Sequence, residues 1–383
     1  MYEIIINKNN EGQKLKKLCF RFLDTAPQSF TYKMLRKKNI VLNDKKATGD
    51  EVLSSGDSVK FYLSDETLAS MCSNYNMQGG SVNAGEKQAG TEKGRADHSG
   101  ADHTGAEKGG ADKGGADHSG AEASGVRISD AAKNERAVNG SVRGLSKNEI
   151  IFEDEDIIIL SKPAGVLTQK AGKDDFSLNE MLLSYLSDKG EYNEKDNTFK
   201  PSVCNRLDRN TTGIVLAGKT VKGLQLLSGC IKEKRIEKYY MTICEGIFKG
   251  SVEATAYLSK DDSKNMVKIL RPDEYIRAGR PEGFSCIKTV FMPVSRSSTH
   301  TLLRVKLITG KSHQIRAQLA YLGYPVAGDP KYGRRNDHKL RGQLLHAREV
   351  RFLTDCGRYS GKSFKCDYPE KFIKAAGLCG IKL

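Results

Sequence analysis

One long stretch of low complexity limits what this chain can fold into. Residues 71–146 are rich in Gly, Ala, Ser, Asp and Lys and contain few large apolar residues. Within them glycine recurs every five residues, at Gly100, Gly105, Gly110, Gly115, Gly120 and Gly125. A period of five fits neither a helix nor a strand, and this composition buries too little apolar surface to offset the entropy of ordering. We therefore predict a disordered linker over 71–146 between two folded domains, residues 1–70 and 147–383.

The positive charge of the chain lies outside this linker. The formal net charge is +15, which divides into +3 for residues 1–70, −1 for 71–146 and +13 for 147–383. A basic surface attracts phosphate backbones and releases their counterions. Nucleic acid is therefore a predicted partner, and a solvated basic face without a partner is the alternative.

The sequence argues against several classes of protein. No apolar run approaches the roughly 20 residues that span a bilayer. The first residues lack the charged and apolar regions of a secretory signal. The nine Cys residues, an odd number, form no Cys-x-x-Cys pair, which disfavours a disulfide framework or a zinc site. We expect a cytoplasmic protein that does not bind membranes.

The first 70 residues have the pattern of a small RNA-binding domain. Apolar residues at helical spacing (Leu15, Leu18, Phe22 and Leu23) predict one helix, and a second is predicted over 30–38. Alternation at Ile40 and Leu42, and again at Val59, Phe61 and Leu63, predicts short strands. The second helix carries basic residues on or beside it, which an ordinary basic surface helix would also show.

This segment resembles the S-four RNA-binding domain. The match lies in 12–15 (Gly-Gln-Lys-Leu), in 35–43 (Leu-Arg-Lys-Lys-Asn-Ile-x-Leu-Asn) and in Gly56-Asp57. The chain departs from the family at 14–16, where Lys-Leu-Lys stands in place of Arg-Leu-Asp. The resemblance implies that Lys33, Arg36 and Lys37 contact RNA.

The larger domain contains an acidic residue in a basic loop. An apolar run at 157–160 predicts a buried strand that Lys162-Pro163 ends. Asp208 follows later, between Arg206 and Arg209 and before a second apolar run at 214–217. Positive neighbours favour the ionised carboxylate, which makes Asp208 a candidate nucleophile or base. Its alternative role is that of a cap or turn residue before Thr211-Thr212-Gly213.

Residues 213–220 also match the phosphate-loop pattern Gly-x-x-x-x-Gly-Lys-Thr. A phosphate loop turns its backbone amides inward, between a strand and a helix. Here the interior of the match is Ile-Val-Leu-Ala, which predicts a strand. We therefore reject nucleotide binding at this position.

Two further blocks complete the pattern. Residues 235–246 alternate like a strand, and 309–319 predict a strand end, a glycine turn and a helix start, followed by Gly-Tyr-Pro-Val-Ala-Gly-Asp-Pro-Lys-Tyr-Gly over 323–333. Ile315 and Leu319 are expected on the inner face of that helix, so that Arg316 points elsewhere. For His313 we favour a packing or turn role, and for Arg316 a surface salt bridge is the alternative to a functional role.

Together, four blocks between about residues 150 and 347 resemble the RluA-type family of RNA pseudouridine synthases. The resemblance implies that Asp208 is the essential carboxylate, that Tyr240 lies against the target uracil and that Arg316 pairs with Asp208. Arg206 is expected to displace the target base and fill its place in the stack. The other residues expected to bind substrate are Arg209, Lys238, His313 and Gln314. Asn205 and Thr212 depart from the usual His and Ser, and Asn205 puts one local hydrogen bond in doubt.

The family also implies a fold and a reaction. The fold is α+β, with a mixed, mainly antiparallel sheet flanked by helices and loops, plus the small α/β RNA-binding domain. Isomerisation of uridine imports no group and oxidises nothing, so we expect no cofactor and no metal, and His98, His103 and His118 are too far apart to form a local metal cluster. Asp208 could attack the base, attack the sugar or remove a ribose proton.

We expect a monomer that acts on large-subunit ribosomal RNA, with transfer RNA as the alternative substrate. A non-catalytic RNA-binding or assembly protein is the main rival function. A cytidine deaminase is rejected because His-x-Glu and Pro-Cys-x-x-Cys are absent from the sequence.

Overall fold

The computed structural model describes residues 1–73, 75, 144–172, 175–194, 198–261, 265–333, 340 and 342–383. Most of the predicted linker, with its three histidines, lies outside these ranges. The described residues form two sheets, of four strands and of eleven strands, each with a separate apolar core.

The smaller sheet belongs to the N-terminal segment. Its strands are antiparallel in the order β1-β4-β2-β3. Its elements are β1 (Tyr2–Ile5), α1 (Leu15–Phe22), α2 (Gln28–Arg36), β2 (Ile40–Leu42), β3 (Lys45–Lys46), β4 (Ser58–Phe61) and α3 (Asp65–Met71). The predicted apolar stripe of α1 packs into the core of this segment.

The second helix differs from the prediction at both ends. It runs from Gln28 to Arg36 rather than over 30–38. Lys38 adopts a positive φ of 59°, a left-handed conformation that cannot continue an α-helix. The strand predicted at 40–42 is present, and the one predicted from Val59, Phe61 and Leu63 spans 58–61. Strands β1 and β3 and helix α3 were not predicted.

The larger sheet confirms the predicted fold class. The order of its strands is β11-β10-β12-β13-β9-β14-β8-β6-β5, with β15 paired to β14 and β7 paired to β8. Every described pairing is antiparallel except that of β8 with β14. The strands are β5 (Ile150–Glu153), β6 (Ile157–Lys162), β7 (Ser202–Val203), β8 (Thr212–Gly218), β9 (Ile236–Glu245), β10 (Val252–Asp261), β11 (Met266–Leu270), β12 (Ser285–Arg296), β13 (His300–Leu307), β14 (Leu345–Phe352) and β15 (Ser363–Lys365).

Helices flank this sheet. They are α4 (Leu178–Asp188), α5 (Val221–Lys232), α6 (Pro272–Arg277), α7 (Gln314–Tyr321) and α8 (Glu370–Leu378). In α7 every residue from 314 to 319 is buried, including Arg316. Arg316 points elsewhere than Ile315 and Leu319, which pack in the apolar core, but the face that carries it is buried as well.

The centre of the sheet positions the candidate site. Strand β14 lies between β8 and β9, so the loop that precedes β8 opens next to the middle of β9. Tyr240 in β9 is opposite Ala347 in β14, and Ala347 is also paired with Gly213 at the start of β8. Among the helices of the described ranges, none is long and apolar enough to cross a membrane.

Candidate active site

The loop that carries Asp208 is fixed at its exit. Asp208 accepts a hydrogen bond at its backbone carbonyl from the Thr211 N–H, at 3.0 Å. Gly213 has a φ of +107°, and a Cβ there would lie 2.2 Å from the carbonyl oxygen of Ala347. The Thr-Thr-Gly turn therefore requires glycine at its third position, because β8 and β14 approach too closely for a side chain.

Thr212 anchors the same turn through a buried histidine. Its hydroxyl bonds to His346 Nδ1 at 2.8 Å, and His346 Nε2 donates to the Cys366 carbonyl at 3.1 Å. Burial lowers the pKa of His346 to about 4. The imidazole is therefore neutral, and its Nδ1 accepts a hydrogen bond from the Thr212 hydroxyl.

A buried lysine holds the other side of the loop. Lys162 Nζ donates to the carbonyls of Pro163, Val166 and Arg209, each at 2.8 Å. Burial lowers the pKa of Lys162 to about 7. Three acceptors match the three N–H groups of the ammonium form. Because Arg209 follows Asp208 directly, this side chain ties the loop to the end of β6.

Arg316 joins two carboxylates. Its Nη1 donates to Asp208 Oδ2 at 2.7 Å, while Nε and Nη2 donate to Asp329 Oδ2 and Oδ1 at 2.7 and 2.8 Å. Its side chain is 4% exposed, that of Asp329 is 0% exposed and that of Asp208 is 25% exposed. Burial works to lower the pKa of Arg316, but the two carboxylates outweigh it and raise that pKa. The predicted Asp208–Arg316 pair is present, and a surface salt bridge is excluded.

Asp329 orients the guanidinium. Burial acts to raise the pKa of Asp329, but the bonds from Arg316 and from the amides of Lys331 and Tyr332 hold it below its usual value. Nε and Nη2 of Arg316 thus both donate to Asp329, and this orients Nη1 toward Asp208. Among the described residues Asp208 Oδ1 has no hydrogen-bond partner, which leaves it available to a substrate.

Tyr240 contributes a buried phenol beside this pair. It lies in the middle of β9, between Val305 of β13 and Ala347 of β14, and is 6% exposed. Burial, and after it the charge of Asp208, raises the pKa of Tyr240 above its usual range. The phenol is therefore neutral, and its place against the target uracil stays a prediction.

His313 stands at the turn before α7. Its φ of 55° is left-handed, and its Nδ1 shares a hydrogen bond with the Tyr332 hydroxyl at 2.9 Å. The Arg316 guanidinium lies over the Tyr332 ring, 5.4 Å from its centroid. Burial lowers the pKa of His313, and the Asp208 charge acts against this. His313 therefore combines the favoured turn role with a position near the carboxylate.

The sequence interpretation missed two residues of this site as functional groups. Asp329 and Tyr332 lie in the Gly-Asp-Pro-Lys-Tyr-Gly segment over 328–333, which supports the family resemblance but assigns neither residue a role. The Asp329-Pro330 pair inside this segment was the available signal, but sequence spacing alone does not place Asp329 against Arg316.

Lys238 and Gln314 lie close to the site in different ways. Lys238 is two residues from Tyr240 on the same face of β9, its Nζ lies beside Gly310, and burial lowers its pKa. The Gln314 amide accepts from Thr309 Oγ1 and the Lys311 N–H and donates to the Lys288 carbonyl and Thr289 Oγ1. Gln314 holds the turn before α7, and its contact with RNA stays a prediction.

The remaining predicted contacts are exposed. Arg206 and Arg209 extend from the loop on either side of Asp208. Lys33, Arg36 and Lys37 are exposed on or beside α2 in the smaller sheet unit, apart from the carboxylate. Their contacts with RNA stay predictions.

The phosphate-loop alternative does not fit the structure. Its interior forms β8, with all seven residues buried. Lys219 Nζ is held by Glu153 and Glu191 at 2.6 and 2.7 Å. The first amide of α5, that of Val221, is bonded to the Asn9 carbonyl. The lysine and the helix amide that would bind phosphate are therefore already paired with other groups of the protein.

Comparison with known proteins agrees with this geometry. The sequence profile of the RNA pseudouridylate synthase family matches residues 156–321, which include Asp208, Tyr240 and Arg316. The ribosomal large subunit pseudouridine synthase D of Borreliella burgdorferi is 30% identical over 229 residues, covering 58% of this chain and 66% of that protein. Residues 156–321 therefore form a domain of the RNA pseudouridylate synthase type.

Similar proteins differ in the RNA they are named for. The ribosomal large subunit pseudouridine synthase C of Haemophilus influenzae is 29% identical over 231 residues, 58% of this chain and 66% of that protein. The mitochondrial tRNA pseudouridine(32) synthase of Saccharomyces cerevisiae is 31% identical over 188 residues, 48% of this chain and 37% of that protein. The chain thus spans slightly less than two thirds of the two bacterial relatives.

Proposed function

We propose that this protein isomerises uridine to pseudouridine in structured RNA. The observation that carries the proposal is the Asp208 carboxylate, held at one oxygen by a buried arginine and open at the other. The buried Tyr240 lies opposite Ala347, which pairs with Gly213 at the end of the Asp208 loop. RNA binding alone requires no such carboxylate in a basic cleft.

The reaction breaks the bond between uracil N1 and ribose C1′, turns the base and forms a bond between C5 and C1′. A proton leaves C5 and one is gained at N1, so the product is an isomer. Asp208 supplies the reactive oxygen, whether it attacks the base, attacks the sugar or removes a ribose proton. Tyr240 forms a wall against the detached ring and limits the access of water.

Reaching the base requires its removal from the RNA stack, at a cost of a few kcal/mol. Arg206 is exposed two residues before Asp208, where it can occupy the space that the base leaves. Arg209, next to Asp208, and Lys238, two residues from Tyr240, add positive charge that attracts the RNA phosphates beside the target nucleotide. The +13 charge of residues 147–383 favours the approach of RNA in general.

We propose large-subunit ribosomal RNA as the substrate. Support comes from the Borreliella and Haemophilus relatives, both named for that RNA. Transfer RNA is the second candidate, because the similar yeast protein is named for it.

The test uses purified full-length protein with transcribed large-subunit ribosomal RNA and, separately, with total transfer RNA. Pseudouridine is mapped at single-nucleotide resolution. We expect new pseudouridines at discrete positions in the ribosomal RNA. Modification of transfer RNA alone would reassign the substrate, and no modification of either RNA, despite tight binding, would favour a non-catalytic role.

We also propose that the protein acts as a monomer in the cytoplasm. All nine cysteines are free thiols, eight of them at least partly buried, as expected in a reducing compartment. Light scattering of the purified chain would show a mass near 42.2 kDa. A mass of twice that value would contradict the monomer.

A further inference from the structure

We propose that the N-terminal unit, residues 1–73, docks in a fixed position on the catalytic domain, so that its RNA-binding helix is held at a set distance from Asp208. The sequence predicted only a tether. A flexible coil of the 76 linker residues has an r.m.s. span of about 50 Å, which would allow many arrangements. The functional part of this inference rests on the proposed action on RNA.

The contacts join one segment of the N-terminal unit to three segments of the catalytic domain. Asn9 donates from Nδ2 to the Glu191 carbonyl at 3.2 Å, and its own carbonyl accepts from the Val221 N–H at 3.1 Å. Gln225 Nε2 donates to the Gly12 carbonyl at 3.1 Å. These bonds reach both the loop after α4 and the first turns of α5, which restricts rotation about any single contact.

Arg21 adds a half-buried charge to this interface. Its Nη1 donates to the Thr198 carbonyl at 2.7 Å, and its guanidinium lies 5.9 Å from the centroid of the Phe199 ring. Phe199 is only 8% exposed, and burial lowers the pKa of Arg21. A guanidinium that gives up water for a carbonyl and an aromatic face is typical of a packed interface.

The Val221 amide is the most informative atom in this interface. It is the first amide of α5, and the first four amides of a helix have no partner within the helix. Here the partner is a carbonyl of the other unit. If the N-terminal unit moved away, this amide would turn to water.

The position of the interface along β8 gives its distance from the Asp208 loop. Strand β8 starts next to the Asp208 loop and ends at Gly218, three residues before Val221. Seven strand residues span roughly 20 Å. The basic residues of α2 remain exposed in this arrangement. Because the N-terminal unit docks at the far end of β8, an RNA that contacts both α2 and Asp208 must reach from the catalytic loop to a second site whose position is fixed.

Amide hydrogen exchange on the full-length chain tests the docking without any use of activity. We expect the Val221 amide to be protected in the wild type and to exchange at least tenfold faster in the double variant Arg21→Glu, Gln225→Ala. The control is Lys45→Glu, a similar reversal of charge at an exposed position on β3. It should leave Val221 protected.

Protection of the core amides of β4 verifies that the N-terminal unit is still folded. If Arg21→Glu unfolds it, Gln225→Ala alone, on the catalytic side, replaces the double variant. An unprotected Val221 amide in the wild type, or equal protection in wild type and the interface variant, would overturn the docking. Modified positions in long ribosomal RNA should then be compared between the two. Unchanged positions would refute the fixed distance while leaving both the isomerase function and the docking intact.

Discussion

Replacement of Asp329 by Asn tests whether the second carboxylate holds the site together. Asp329 is fully buried and takes two of the three carboxylate bonds of Arg316. Its Oδ1 also accepts from the amides of Lys331 and Tyr332. An Asn that keeps those bonds must turn its NH₂ toward Arg316 Nε–H, where two donors would face each other.

The expected magnitude follows from burial. Removal of one partner of a buried ion pair costs about 3–5 kcal/mol, and Asp208 remains as a partner, so we expect about 3 kcal/mol. Arg277 and Asp273 provide the matched control, because their N–O distance is also 2.7 Å but their side chains are 70% and 56% exposed. Asp273→Asn should cost about 0.3–0.5 kcal/mol.

Urea unfolding of both variants measures the free energies, and single-turnover isomerisation at saturating enzyme measures the effect on Asp208. We expect Asp329→Asn to be both less stable and slower at a temperature where it is fully folded. Equal stability losses in the two variants would refute the argument from burial. An unchanged single-turnover rate in folded Asp329→Asn would refute the orienting role.

Three further results are expected. Gly213→Ala should lower the free energy of unfolding by several kcal/mol, because its Cβ would meet the Ala347 carbonyl. Gly229→Ala, at an open helical position, should raise the free energy of unfolding by up to about 1 kcal/mol, and thermal unfolding measures both variants. The pKa of His346 is about 4 in the folded chain and about 6.5 in the unfolded chain. His346 should therefore make the free energy of unfolding fall by about 3 kcal/mol as the pH falls from 6.5 to 4. If the free energy of unfolding of His346→Gln fell with pH in parallel with that of the wild type, this prediction would be contradicted. Between pH 7 and 10.5 the unfolded chain binds the Lys162 proton more strongly than the folded chain does, so Lys162 should make the free energy of unfolding rise with pH. Lys162→Met should lack this rise. Equal slopes of the free energy of unfolding against pH in Lys162→Met and wild type would contradict the assignment.

Local patterns in the sequence predicted much of the fold. Continuous apolar runs marked β6 and β8, where nearly every residue is buried. Alternation of residue types marked β9, although its central residues 239–244 are all buried. The same logic failed for α7, where the Ile315 and Leu319 spacing suggested one buried face. This helix is enclosed by neighbouring elements, so its polar residues are buried as well.

The candidate site could be predicted only in part. Asp208 and Arg316 are 108 residues apart, and the family resemblance paired them where no local pattern could. Asp329 and Lys162 stayed unassigned because their partners are set by tertiary contacts across loops. The contact of Asn9 with Val221 has the same origin, since nothing near either residue in the sequence indicates it.

The most direct test of the central claim is the single-turnover rate of Asp208→Asn on an RNA that the wild type modifies. The substitution keeps the size of the side chain and an acceptor for Arg316 but removes the charge. We predict a rate lower by at least about 1,000-fold with RNA affinity retained, because the proposed reaction takes its reactive oxygen from Asp208. Asp188→Asn, the same change at an exposed position at the end of α4, should react at the wild-type rate. Wild-type isomerisation by Asp208→Asn would contradict the account.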